Sequence, residues 1–179
     1  MLPRRPSHSR SAENPLSHAL GQLTPTTRRL LDGFELDQVT SHLLRRAHFM
    51  AEELFHSEFA EESLTPRQKA ALIITAKHPG LKQNELAERL FMDRNTVADM
   101  VKRLCFAGLL LRKNAEEDQR AYQLFPTAEG VQMLNRVLER DAALEHRLLE
   151  RLPAEYRPLF MKCLKLLLEP AGDMQRRPD

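Results

Sequence analysis

The stretch MDRNTVADMVKRL, residues 92–104, mixes two spacings. Val97, Met100, Val101 and Leu104 fall at i, i+3, i+4 and i+7, so on a helix they share one stripe and face a core. Asn95, Asp99 and Lys102 then lie on the opposite face, with Thr96 and Arg103 on one flank and Arg94 on the other. The pattern predicts a helix over 94–106, started by Asp93 as N-cap and ended near Gly108, where a left-handed residue is needed. A second short amphipathic helix, 83–90, precedes it. Only Phe91, Met92 and Asp93 lie between them.

The flanking pattern extends the reading. Over 34–59 the apolar residues Leu36, Val39, Leu43, Leu44, Ala47, Met50, Ala51, Leu54 and Phe55 cover about 160° of a helical wheel, which predicts a helix packed on more than one side. SLTPRQKAALIITAKHPG predicts another, with Thr65 as N-cap, Pro66 at its first position and His78, Pro79 and Gly80 as its close. After the 94–106 helix, LLLRKN and AYQLFP are short strand-like runs joined by the charged loop AEEDQR, a β-hairpin pattern. Thr127 caps a long helix to about Arg151. Pro153 starts a last one that runs to Glu169, before Pro170. Two short helices at helix-turn-helix spacing followed by a hairpin make a winged helix. The fold class expected is mainly α with a small β-hairpin, a winged helix-turn-helix domain flanked by N- and C-terminal dimerisation helices.

Residues 1–31 hold four prolines, Pro3, Pro6, Pro15 and Pro25, most of the serines, and no sustained period. They read as flexible chain, with the folded part beginning near Asp32. The division expected is a tail over 1–31, a winged-helix domain over 32–169 and a short tail over 170–179. Within the domain, 64–126 is the lobe with the helix-turn-helix, and 32–60 and 127–169 are the helices for assembly. The assembly reading comes from Val131, Leu134, Val137, Leu138, Leu148, Leu149, Leu152, Leu159, Phe160, Cys163, Leu164 and Leu167. These are too many apolar residues for two unsupported helices, and a partner chain is their economical cover.

Composition changes this picture little. The chain has 179 residues, 42% of them hydrophobic, and a formal charge of +2. That total declares no nucleic-acid partner, so any electrostatic footprint has to come from local clusters. No apolar run reaches the roughly 20 residues that span a bilayer, so no membrane partner is expected. Cys105 and Cys163 lie far apart among apolar neighbours, which reads as two buried thiols in a reducing, cytoplasmic compartment. His42, His48 and His56 share a helix without an i, i+4 pair or a nearby CxxC, a poor metal pattern. No serine follows Ser63 and no GxG occurs, so a nucleophile elbow and a nucleotide loop are missing. No metal, cofactor or enzymatic activity is expected.

The span LTPRQKAALIITAKHPGLKQNELAERLFMDRNTVADMVKRLCFAGLLLRKNAEEDQRAYQLFPTAEG resembles the MarR family of bacterial transcription regulators. The pattern L-A-x-x-L, the Thr96-Val97 pair, RLCFAGLL, the wing EEDQR and the closing T-A-E-G fall at the family's spacing without a gap. The chain departs from the pattern at Lys82, where a Ser or Thr cap is usual, at Gln119 and at Asp99. The resemblance implies that the 93–106 helix enters a DNA major groove. Asn95, Thr96, Asp99 and Lys102 would then meet base edges, Asn95 suiting adenine and Asp99 suiting cytosine N4. Arg94, Arg103, Arg112 and Lys113 would neutralise phosphates. Asp118 and Arg120 match the family's Asp-x-Arg wing, in which the acid orients an arginine aimed at the minor groove. The family also implies a homodimer on a pseudo-palindromic operator, and a small effector, often a phenolic or aromatic anion.

For that effector the sequence offers His42 and Arg46 at the edge of the first helix's apolar arc, where a half-buried arginine suits a carboxylate. A structural ion pair or dimer contact competes for Arg46. The leading expectation is a dimeric, sequence-specific DNA-binding regulator, a repressor released by a small ligand. The alternative is a winged-helix protein-interaction module that does not touch DNA.

Overall fold

The computed structural model describes residues 21–114 and 122–169. Among the described residues seven helices and three strands follow in order: α1 Pro25–Asp32, α2 Thr40–Glu58, α3 Pro66–Lys77, β1 Leu81–Lys82, α4 Gln83–Leu90, α5 Arg94–Phe106, β2 Leu110–Asn114, β3 Tyr122–Pro126, α6 Ala128–Leu149 and α7 Tyr156–Leu168. The fold is mainly helical with one small antiparallel sheet of order β1-β3-β2, as expected of a winged helix. No described helix is long and apolar enough to cross a membrane.

The chain divides into two compact units, residues 1–47 and 48–179, the division falling inside α2. In the first unit, regular structure starts earlier than Asp32. Thr24 caps α1, its side chain accepting from the Thr27 amide at 3.1 Å, and Pro25 opens the helix. That start signal sits inside a stretch whose composition reads as tail. A 3-10 turn, Leu36–Gln38, then holds residues expected to be helical, so α2 begins at Thr40 rather than Phe34.

The second unit carries the core, with Phe55, Phe59, Leu72, Leu86, Val97, Val101, Leu104, Leu124 and Val137 among its buried members. Thr65 and Gln68 close a reciprocal capping box on α3, whose Pro66 stands in the first turn. α4 starts at Gln83 with no side-chain bond from Lys82, so the missing Ser or Thr is felt locally. It ends on Phe91, which adopts a left-handed φ of 52° and is 89% exposed. A bulky side chain there costs about 1–2 kcal/mol, and burial of its ring offsets none of it.

Between β2 and β3 the pairs run from Leu110↔Pro126 to Asn114↔Tyr122, and β1 adds Leu81↔Leu124 and Lys82↔Gln123 on the other edge of β3. α6 starts on this sheet. Thr127 accepts from the Gly130 amide at 3.0 Å, donates its hydroxyl to the Gly108 carbonyl, and gives its own amide to the Leu109 carbonyl. Farther along, α6 is tied by charge: Asp141 pairs with Lys69 of α3, and Arg140 bridges Glu58 and Glu62 while lying 4.9 Å from the centre of the Phe59 ring.

The last helix differs from expectation. Pro153 opens a turn rather than a helix, the Tyr156 amide returning to the Pro153 carbonyl, and α7 proper begins at Tyr156. None of its residues is buried. Tyr156, Leu159, Phe160, Cys163 and Leu167 recur at i, i+3, i+4, i+7 and i+11, a single apolar stripe facing outward.

Candidate nucleic-acid interface

The interface is built on α5. Asp93 caps it, accepting the Thr96 amide on Oδ1 at 2.9 Å and the Thr96 hydroxyl on Oδ2 at 2.6 Å. These two bonds, the hydroxyl's first, hold the Asp93 carboxyl below its ordinary range. The cap therefore contributes stability that is present above the ordinary aspartate value and lost as pH falls through the lowered one. Asp93→Asn keeps an acceptor but cannot titrate. It should unfold a few degrees lower than the parent at pH 7, with the gap closing in strong acid, as thermal unfolding at several pH values will read.

Val97, Met100, Val101 and Leu104 are buried, and Arg94, Asn95, Thr96, Asp99, Lys102 and Arg103 are all exposed, as the spacing predicts. Asn95, Asp99 and Lys102 remain on one free stripe. Thr96 is different: its hydroxyl proton is committed to Asp93, so only its lone pairs and methyl are free for a base. Phe106 ends that same stripe and is 95% exposed, a feature its place in RLCFAGLL does not flag. A cleft of about 440 Å³ opens beside α5, lined by Thr96, Asp99, Met100 and Arg103 with Glu52, His56 and the first turn of α3.

The ribbon after α5 carries the other cations. Arg112 lies 4.0 Å from the centre of the Tyr122 ring, and the Lys113 Nζ lies 5.4 Å from that of Phe125; both side chains remain exposed. Sequence reading named the two cations and missed the two rings. Asp118 and Arg120 of the wing lie outside the described residues.

The Phe125 ring in turn rests on Gly80, whose φ of 87° lets the chain turn onto the sheet edge. With α5 opposite a ribbon that begins four residues beyond it, the unit has the shape of a helix-turn-helix with a wing. Residues 64–122 match the MarR family. The chain is also similar to the PcaV transcriptional regulator of Streptomyces coelicolor, solved with its natural ligand, with a TM-score of 0.71 and 30% identity, covering 75% of this chain and 95% of that one.

The chain belongs to the MarR family. It is a DNA-binding transcription regulator of that family, not an enzyme. Another MarR relative, the transcriptional repressor CouR bound to a 23-mer DNA duplex, matches with a TM-score of 0.71 and 29% identity over 75% of this chain and 96% of that one. A regulatory protein assigned to the hcr operon of Thauera aromatica is 31% identical over 108 residues, which is 60% of this chain and 65% of that protein's length. These relatives side with DNA binding over a protein-interaction module.

Asn95, Asp99, Lys102, Arg112 and Lys113 fall inside the residues that match the family, as do Asp118 and Arg120; His42 and Arg46 fall outside them. Arg46 is exposed rather than half-buried, and His42 is partly exposed. The reason is that the apolar arc beside them is itself bare, Leu43 and Leu44 being exposed within the single chain.

The cysteines also divide. Burial pushes the Cys105 thiol above its ordinary range while the charge of Arg112 pulls the other way, which keeps it protonated and unreactive at neutral pH. Cys163 is exposed, contrary to the reading of two buried thiols, because it sits in the outward stripe of α7. Its apolar neighbours Leu164 and Leu166 are only partly covered, and no residue of α7 is buried.

Proposed function

We propose that this MarR-family chain works in the cytoplasm as a homodimeric repressor that reads a pseudo-palindromic operator with α5 and releases it when a small aromatic or anionic ligand binds. The observation that carries the DNA half of this reading is α5 itself. Its core stripe is filled, its other face is free, and that face bears Asn95, Asp99 and Lys102 with the cationic ribbon directly after it. Asn95 suits the paired donor and acceptor edge of adenine, Asp99 suits the amino group of cytosine, and Lys102 suits guanine or phosphate. Thr96 is kept as a methyl or acceptor contact. Arg94, Arg103, Arg112 and Lys113 supply charge to the phosphates, and Asp118 with Arg120 supplies the minor-groove arm.

In this division of labour 64–126 is the DNA-binding lobe and 32–60 and 127–169 assemble the dimer, with α1 cutting into the stretch that composition reads as a tail. The uncovered stripe of α7 and the bare arc at the start of α2 support assembly. Repression is supported by the name that CouR carries, and a ligand by the complex of PcaV. His42 and Arg46 are the candidate ligand contacts, with Arg46 able to pair a carboxylate once a partner chain narrows its surroundings.

A mobility shift on DNA upstream of its own gene, across a range of salt, tests the reading. Genuine binding has a steep salt slope, because each neutralised phosphate releases counterions. Asn95→Ala should cost about 1–3 kcal/mol on the operator and leave binding to random DNA unchanged. A shallow slope, or equal loss on both DNAs, would sink the groove reading.

A further inference from the structure

The paired strands hold an arrangement that the DNA-binding reading does not itself require. Arg112 is paired with Leu124, and its guanidinium reaches diagonally to Tyr122; Lys113 is paired with Gln123 and reaches diagonally the other way, to Phe125. Diagonal neighbours on one face of an antiparallel pair lie within reach of aromatic and long side chains. Because 112 and 113 are consecutive, the two ring-and-cation pairs stand on opposite faces of the ribbon. Arg112 is on the face toward α5, close enough for its charge to act on the Cys105 thiol. Phe125 is fixed from behind, its ring 3.6 Å from where a Cβ on Gly80 would stand. Among the described residues no carboxylate pairs with Arg112 or Lys113.

We propose that Tyr122 and Phe125 are positioning residues of the DNA interface, each offering a ring face that holds one β2 cation ready for the phosphate backbone. The proposal rests on the reading of Arg112 and Lys113 as phosphate contacts. Its physical basis is the shape of the groups. A guanidinium that stacks uses its flat face, and its N–H donors radiate in plane, so the ring steadies it without occupying a donor that a phosphate needs. An ammonium over a ring likewise keeps donors turned to solvent. A long cationic side chain ordered only on binding loses rotamer freedom at that moment; one already resting on a ring has lost much of it beforehand. A carboxylate partner would order the cation too, but would have to be displaced by the phosphate.

The test is a coupled set of variants of the full chain, titrated onto a random-sequence DNA duplex at several salt concentrations, with thermal unfolding as a check on folding. Arg112→Gln should weaken binding and lower the salt slope by about one. Tyr122→Leu should weaken binding by about three- to tenfold, the cost of ordering one long side chain, with the salt slope unchanged because the charge remains. Tyr122→Phe should bind as the parent does. In the Arg112→Gln background Tyr122→Leu should cost nothing further.

Parent-like binding by Arg112→Gln would remove the phosphate reading and the positioning role together. A normal effect of Arg112→Gln with no loss in Tyr122→Leu, or with a loss that persists in the Arg112→Gln background, would overturn the positioning role alone. Should Tyr122→Leu fail to fold, the cycle of Phe125→Leu with Lys113→Gln carries the same expectations and the same refutations.

Discussion

Gly130→Ala should lower the thermal unfolding midpoint by several degrees although it places the best helix former in the first turn of a helix. Gly130 is buried, and a methyl on it would overlap the Leu109 carbonyl oxygen outright, besides lying 3.1 Å from the Leu109 carbonyl carbon and 3.3 Å from Leu72 Cδ1. The obstructing atom cannot step aside cheaply. The Leu109 carbonyl accepts the Thr127 amide, and Thr127 is also the cap of α6, so moving it loosens the join between the sheet and the long helix. Overpacking of this kind costs about 1–3 kcal/mol, or more where backbone must move. Alanine returns about 1 kcal/mol of helix propensity. Because the obstructing atom is backbone, the upper end of that cost applies and the overlap wins by about 2 kcal/mol, a fall of about 4–8 °C for a chain of this size. Gly33→Ala is the control, since its Cβ would meet only the Arg29 carbonyl at 3.8 Å and its φ of −96° suits any residue. If both variants melt alike, the close approach of α6 to Leu109 is not what the glycine is for.

That glycine also marks where sequence reading reaches and where it stops. T-A-E-G was legible as a helix start, because Thr127 as a cap is a local matter. Why the fourth position lacks a side chain was not, since the reason is a carbonyl 21 residues earlier in the chain. The same boundary runs through the interface. The limits of α5 could be read closely from Asp93, the apolar stripe and Gly108, since caps and period act within a turn or two. The commitment of the Thr96 hydroxyl to Asp93, and the rings beneath Arg112 and Lys113, depend on side-chain directions that spacing alone leaves open.

Composition misled at α1, where Thr24 and Pro25 start a helix inside a proline- and serine-rich stretch. At Pro153 a start signal was present without its result. The residue fixes a favourable φ, yet the chain turns once more before Tyr156. Burial was the least legible quantity, at Arg46 and Cys163 above all. A periodic apolar face states that something covers it and does not say whether the cover belongs to the same chain.

Leu167→Asp should turn the protein from dimer to monomer while leaving the single chain folded, and this is the largest effect expected here. Leu167 is 61% exposed in the isolated chain, so a carboxylate there costs the protomer little. On the outward stripe with Tyr156, Leu159, Phe160 and Cys163 it would lie within any surface that two copies bury. Two-fold symmetry places the change twice in one interface. Each copy forfeits about 1.5–3 kcal/mol of leucine burial, before the cost of an unpaired charge is added. A loss of at least about 3 kcal/mol per dimer follows, more than about a hundredfold in the dissociation constant.

Sedimentation at micromolar concentration should show the change of mass, and circular dichroism should show the helices retained. Cys163 gives an internal readout from the centre of the same stripe. Its thiol should react slowly with a maleimide in the parent and quickly in Leu167→Asp, while Cys105 stays slow in both. Operator binding should fall with the dimer, since a monomer reaches only one half-site. A parent that sediments as a monomer and labels rapidly at Cys163 would remove the dimer, and with it the argument from symmetry to a palindromic operator.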